Sequence, residues 1–215
     1  RIPTHLFHFV TYVKQFRGFG RGLRTALGRW YNDLPVDKLA YEVVKYQSRD
    51  GWSNSDILRL SHPKTTDPAR NYVYRWIVDG EAEAIVRALT APTVPEKFEA
   101  PAILNAFERA KKADGADLIA LIKAHNLSRE MLPTESLDKR EVWEALLDKM
   151  PMTAMIRNLG NMSKCGLLAP MSDASRTVCE RLCNIDLIKK ARVHPIAVLV
   201  AMKTYGGGKG MRGSG

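Results

Sequence analysis

Apolar side chains recur along most of this 215-residue chain at intervals of three and four, the period of an amphipathic α-helix, and period-two alternation of β-branched residues is nearly missing. Residues 5–16, HLFHFVTYVKQF, place Leu6, Phe9, Val10, Val13 and Phe16 on one stripe. After the glycine-broken stretch 18–22, RGLRTALGRWYND makes a second helix. Pro35 suits the first turn of a third, PVDKLAYEVVKYQSR, which continues to Arg49 and is ended by Asp50 and Gly51. Ser53 and Asp56 have the spacing of a capping box, opening a short helix that His62 and Pro63 stop, because a residue before proline is pushed out of the helical region. Asp67 followed by Pro68 reads as an N-cap and first-turn proline for PARNYVYRWIVDG, closed by Gly80.

The second half continues in the same style. FEAPAILNAFERAKK and GADLIALIKAHNL read as helices, Asp138 and Glu141 as a cap for KREVWEALLDKM, and Pro151 as the start of PMTAMIRNLGNM; SRTVCERLCN and HPIAVLVAMKTY follow. Helices of about 10–15 residues joined by short turns, without a single heptad seam, predict an all-α fold: an α-solenoid of HEAT-like antiparallel helix pairs stacked side by side. No residue-level repeat of fixed period accompanies it, so the likeness to HEAT repeats is architectural. KTTDPA and TAPTVPEK are loops too short and unbiased to mark a domain boundary. One helical domain is therefore expected over 1–205, with 206–215 a flexible glycine-rich tail or linker. The tail's GGGKG lacks the glycine spacing and the strand-to-helix setting of a phosphate-binding loop.

A hydrophobic content of 45% is enough for a true core. The longest apolar run, PIAVLVAM, falls far short of the roughly 18 residues a membrane span needs. The opening RIPTHLFHFV is broken by His5 and His8 and has no small-residue cleavage site after it, unlike a secretory signal. Three cysteines are an odd number for a disulfide framework and suit a reducing compartment. These features predict a soluble, cytoplasmic protein with no membrane partner.

Charge sharpens the picture. Thirty-three Lys and Arg against 23 Asp and Glu give a net +10 and a pI near 9.6, which favours a polyanionic partner. The excess sits at the ends: residues 1–50 hold nine basic and four acidic side chains and residues 151–215 ten and three, against six and seven in 51–100 and eight and nine in 101–150.

Candidate chemistry is sparse. Cys179 and Cys183 lie one turn apart with His194 eleven residues on, but tetrahedral zinc wants four ligands and Cys165 is set off by the Pro170 turn, so these thiols are read as core. There is no HExxH, no nucleophile elbow and no carboxylate pair in an apolar context, and the histidines are scattered, so no enzyme is expected. The stretch KYQSRDGWSNSDILRLSHPK (45–64) is richer. Lys45 and Arg49, four apart on the expected helix, would share a face and repel by a few tenths of a kcal/mol unless an anion lay between them. His62, at the end of the next helix, would approach that face if the chain closed tightly at Gly51. Such a trio could clamp a phosphate backbone and stack an imidazole on a splayed base; the spacing equally allows two solvated cations and a histidine that only ends a helix.

Further basic positions suit a second contact zone: Arg17, Arg21, Arg24 and Arg29 early, and Arg157, Lys164, Arg176, Lys189, Lys190 and Arg192 late. With 8% aromatic residues, stacking platforms of a single-strand channel are not obviously prepared. The competing expectation is an α-solenoid scaffold for acidic protein partners.

The runs RIPTHLFHFVTYVK, LGRWYND, KYQSRDGWSNSDILRLSHPK, EVWEALLDKMPMTAMIRNLGNM, VCERLCN and KKARVHPIAVLVAMKTYGGGKGMRG resemble, in order, the TROVE domain of the Ro ribonucleoprotein autoantigen family. The resemblance implies HEAT-like repeats arranged in a ring, an outer rim that binds structured Y RNAs, and a positive central hole that takes single-stranded ends of misfolded noncoding RNAs. It implies a role in RNA quality control, with an exoribonuclease as a partner, and it places the family's RNA-binding Lys, Arg and His on Lys45, Arg49 and His62. The chain departs from the family pattern in stopping before the von Willebrand factor A-like domain, whose DxSxS motif binds a divalent metal, so neither metal nor other cofactor is expected in this segment. It also begins inside the TROVE domain, missing the first helical repeats, which implies an open arc unless another chain supplies the rest; the expectation rests on the rim more than on the hole.

Overall fold

The computed structural model describes residues 3–90 and 100–193 and, toward the C-terminus, Ile196, residues 198–200 and Lys203. Among these the chain is all-α apart from one two-stranded ladder, and it divides into two compact units, Arg1–Arg109 and Ala110–Gly215.

The first unit runs α1 (Pro3–Lys14), α2 (Arg21–Asn32), α3 (Val36–Lys45), β1 (Ser48–Arg49), β2 (Trp52–Ser53), α4 (Asn54–Ser61), α5 (Pro68–Asp79), α6 (Glu81–Thr90) and α7 (Ala102–Ala110). Its core is built from Phe7 and Val10 of α1, Leu27 and Tyr31 of α2, Leu39 and Val43 of α3, Ile57 of α4 and Val73 of α5. The buried face of α1 is Pro3, Leu6, Phe7 and Val10, while Phe9 is 50% and Phe16 69% exposed. The stripe expected from the sequence is therefore turned: Phe9 lies two residues past Phe7, about 200° round a helix of 3.6 residues per turn.

Helix α2 packs on α4, and α4 on α5. At Gly28 α2 and α4 come close, and a Cβ there would meet the Pro63 Cβ, just past α4, at an ordinary contact distance of 3.5 Å. The last carbonyls of α2 are taken by Arg70 of α5, whose guanidinium donates to Tyr31 O at 2.7 Å and to Leu34 O, just beyond the helix, at 2.8 Å. The Tyr74 hydroxyl donates to Asn32 Oδ1 (2.7 Å), and Asn32 Nδ2 in turn donates to Lys64 O (3.1 Å). Burial keeps both phenols protonated: at Tyr74 it outweighs the lowering effect of Arg70 and the pKa is pushed up to about 12, and at Tyr31, raised further, the neighbouring Tyr74 adds to it. Gly80, at φ 91°, ends α5 as the sequence suggests, and α6 packs back on α5.

The second unit runs α8 (Gly115–His125), two 3-10 turns (Arg129–Met131 and Thr134–Asp138), α9 (Arg140–Leu147), α10 (Met152–Lys164), α11 (Asp173–Cys183) and α12 (Ile185–Lys190). Its largest buried side chain is Trp143, which donates Nε1–H to Leu137 O at 2.6 Å. That bond holds the second 3-10 turn against α9, and the turn absorbs Asp138. The expected Asp138–Glu141 cap does not form; α9 starts after Lys139, without a side-chain cap. Arg181 closes the α9–α10 connection by donating to Leu147 O (2.9 Å) and Asp148 O (2.8 Å). Cys179 and Cys183 are exposed rather than core residues, because Val178 and Leu182 take the buried face of α11. Most of HPIAVLVAMKTY and all of the tail 206–215 lie outside the described residues. Among the described residues no helix is long and apolar enough to cross a membrane.

Candidate nucleic-acid interface

The stretch 45–64 is organised by one buried side chain. Asn54, 3% exposed, accepts from the Tyr31 hydroxyl at Oδ1 (2.9 Å), and its Nδ2 donates to Tyr46 O (2.8 Å), with longer contacts to Val43 O (3.3 Å) and Gln47 O (3.4 Å). Its backbone N–H donates to Gln47 O as well. The carbonyls left over at the end of α3 are thereby satisfied from α4, and the chain leaves the helix at Tyr46 (φ −120°, ψ 78°). The helix expected to continue to Arg49 stops at Lys45. Residues 48–49 instead pair antiparallel with 52–53, Ser48 opposite Ser53 and Arg49 opposite Trp52. Asp50 (φ 55°) and Gly51 (φ 76°) take the two left-handed positions that a two-residue hairpin turn requires, and Asp-Gly is a favoured pair for them.

Lys45 and Arg49 therefore do not share a helix face. Lys45 ends α3 half-buried, its ammonium 5.7 Å from the Tyr41 ring centroid and 5.4 Å from that of Tyr46. Arg49 is exposed on β1. The hairpin is fastened to α1 by His8, whose Nδ1 lies 2.6 Å from Asp50 Oδ2, and by Lys14, 5.7 Å over the Trp52 ring; Phe19 meets the same ring edge-on at 5.5 Å. A half-buried indole thus has Lys14 over its ring and Arg49 as its cross-strand partner, a neighbourhood that the sequence reading missed. The only sequence signal for it was the lone tryptophan beside the Asp-Gly turn.

His62 sits at the other end of α4, whose start is fixed by the expected capping box: the Ser53 hydroxyl accepts from Asp56 N–H (3.2 Å), and Ser53 N–H donates to Asp56 Oδ2 (2.9 Å). Eight residues at 1.5 Å each carry His62 about 12 Å from that start, so α4 separates it from the hairpin. His62 caps the helix in the left-handed conformation (φ 45°), and its imidazole is exposed on the lip of a cleft of about 390 Å³ between α4 and α5. Arg59, Lys64 and Arg75 also border this cleft, three cations absent from the sequence-derived set. None of Lys45, Arg49 and His62 is in an ion pair among the described residues. Glu42, one turn before Lys45, has its carboxyl pKa raised by burial against the pull of Lys45 and Lys38, and its Oε2 is buried without a hydrogen-bond partner.

The secondary basic set divides between the units. Arg21 and Arg29 line a broad depression of about 660 Å³ along α2 with Thr25 and Trp30. Arg24 is exposed and donates from Nε to Phe19 O (3.0 Å), and Arg17 is exposed after α1. In the second unit Arg157 and Lys164 are exposed on α10, two turns apart; Lys189 and Lys190 are exposed at the end of α12, and Arg192 follows at φ 52°. Arg176 is paired with Asp173 at 3.4 Å. Among the described residues no group of three or more His, Cys, Asp or Glu could hold a metal ion.

Helices with a hairpin and a cleft bordered by basic side chains define a helical scaffold with a basic surface. The TROVE domain matches residues 1–205, and the chain belongs to that family. It is similar to two proteins called RNA-binding protein RO60: that of Caenorhabditis elegans, 34% identical over 263 residues, and that of Deinococcus radiodurans, 36% identical over 219. All of this chain is covered in both, against 40% and 39% of those proteins. The crystal structure of the Deinococcus radiodurans RO (RSR) protein superposes with a TM-score of 0.77 at 36% identity, covering 100% of this chain and 41% of that one. The chain thus spans about two-fifths of the length of the relatives it matches.

Proposed function

We propose that this chain is an RNA-binding segment of a Ro-type ribonucleoprotein and acts without catalysis. The observation that carries the reading is that Lys45 and Arg49, in no ion pair among the described residues, lie just before α4 and the exposed His62 lies at its far end, in a chain whose relatives are called RNA-binding proteins. Lys45 and Arg49 at the hairpin neutralise phosphates of a Y RNA-like structured RNA, and His62 meets the same RNA about 12 Å further along α4. Contacts strung along a helix suit a structured RNA read mainly by shape. The exposed arginines and lysines of the secondary set, Arg17, Arg21, Arg24, Arg157, Lys164, Lys189, Lys190 and Arg192, supply further phosphate contacts, including to single-stranded ends of misfolded noncoding RNAs in quality control. A cytoplasmic setting and an exoribonuclease partner complete the proposal.

The test is binding of a small structured RNA at fixed salt by Lys45→Ala with Arg49→Ala, and by His62→Ser. Each is expected to weaken binding with unchanged helical content, and the double variant to lower the salt slope by about 0.9 for each phosphate no longer neutralised. Wild-type affinity in both would remove these residues from the interface. Nucleic acid that copurifies with the chain and disappears on ribonuclease digestion separates this reading from a scaffold for acidic proteins.

A further inference from the structure

The α4–α5 cleft enters the reading above only through His62 on its lip, yet it is built for more than a passing backbone. Its floor is apolar, formed by Leu58, Pro63, Tyr74 and Val78. Its border carries three cations, Arg59, Lys64 and Arg75, with the His62 imidazole among them. Arg59 donates one Nη2 bond to Val78 O (3.1 Å) and keeps its other donors. Arg75 is paired loosely with Asp79 at 3.4 Å. Asn71, exposed on α5, offers an amide that can both donate and accept. The Tyr74 hydroxyl is engaged by Asn32, which leaves the cleft's polar chemistry to its border.

We infer that this cleft holds one unstacked nucleotide of the bound RNA, its base on the apolar floor beside His62 and its phosphate among Arg59, Lys64 and Arg75. The inference rests on the RNA-binding reading and specifies it. A flat apolar body carrying an anion matches both the floor and the border. An acidic peptide would satisfy the cations and leave the floor wet. Proteins that recognise unpaired RNA commonly stack the extruded base on histidine or arginine and hydrogen-bond its edge, for which the Asn71 amide is placed.

Two measurements on the full chain test it. In the unmodified protein, titration with adenosine or uridine 5′-monophosphate should shift the backbone amide resonances of Arg59, His62, Lys64 and Asn71 saturably. Ribose 5-phosphate should bind about tenfold more weakly, since stacking of one base is worth about 1–3 kcal/mol. Equal shifts with ribose 5-phosphate or with polyglutamate, or none with the mononucleotides, would overturn the inference. In the second measurement Asn71→Trp fills the cleft from an exposed helix position and should weaken a fluorescent stem–loop RNA about tenfold. An abasic substitution at one loop nucleotide should weaken the wild type by a similar factor and leave the variant unchanged. Retained affinity in Asn71→Trp would also overturn it. A wild-type chain that binds mononucleotides at these amides but no stem–loop would refute the RNA reading and leave the cleft standing.

Discussion

Replacing Asn54 by alanine should cost the first unit about 3 kcal/mol, because it breaks a buried junction rather than a surface contact. The side chain is 3% exposed and joins Tyr31 of α2 to the end of α3 through its bonds to the Tyr31 hydroxyl (2.9 Å) and Tyr46 O (2.8 Å). Each such bond contributes about 1 kcal/mol net, and a buried donor left alone costs about 1–3 kcal/mol. Tyr31 is 0% exposed, so its orphaned hydroxyl cannot turn to water. For a chain of this size that destabilisation corresponds to a melting point lower by about 6–12 °C, read by circular dichroism. Tyr31→Phe and the double variant complete a cycle whose coupling should be about 1 kcal/mol or more, as for groups in one hydrogen-bond network. Asn54→Asp should do no better than alanine: it keeps an acceptor for Tyr31 but faces the Tyr46 carbonyl with oxygen. RNA affinity should fall with stability, since Lys45 and Arg49 flank the junction. A destabilisation below about 1 kcal/mol with no coupling would refute the claim that Asn54 ends α3 and sets the hairpin.

Other consequences follow from the same geometry. Glu42→Gln should stabilise the chain at neutral pH, because the native carboxyl, raised by burial, resists ionisation; the native form binds the proton more readily than the unfolded chain. The gap over wild type should therefore close as pH falls from that raised pKa to the ordinary carboxylate range, in urea titrations run across acid pH. Gly28→Ala should be neutral or stabilising by up to about 1 kcal/mol, since its methyl meets Pro63 at ordinary contact distance while gaining helix propensity. Gly28→Leu, by contrast, should cost about 1–3 kcal/mol through overpacking against Pro63, both measured by thermal melting.

What the sequence disclosed was mostly local. The Ser53–Asp56 box, the Asp67 cap with Pro68 and the Gly80 stop are each decided within four residues, and all three are present. The end of α3 is not decided locally. Residues 46–49 tolerate a helix, and the amide that ends it arrives from Asn54, which reads in sequence as an ordinary polar turn residue. Helix α1 misled for a different reason: both of its faces are apolar, Leu6, Phe7 and Val10 on one and Phe9, Tyr12 and Phe16 on the other, so periodicity cannot choose between them. The site divides similarly. The basic residues at 45, 49 and 62 stand out in sequence, but their neighbours Lys14, Arg59 and Arg75 do not, because only the packing of α1 on the hairpin and of α4 on α5 brings them there.

The left-handed cap at His62 has an evolutionary corollary. A φ of 45° costs an L-residue about 1–2 kcal/mol that glycine would not incur, and asparagine already fills the equivalent cap of α8 at Asn126. The exposed imidazole makes no hydrogen bond among the described residues that would offset this cost. A selection for thermostability alone should therefore drift toward glycine at position 62, and a selection that also demands binding should hold the histidine. The two regimes, run side by side on a library at this one codon, would measure how much folding free energy the chain gives up to keep an imidazole at the mouth of the cleft.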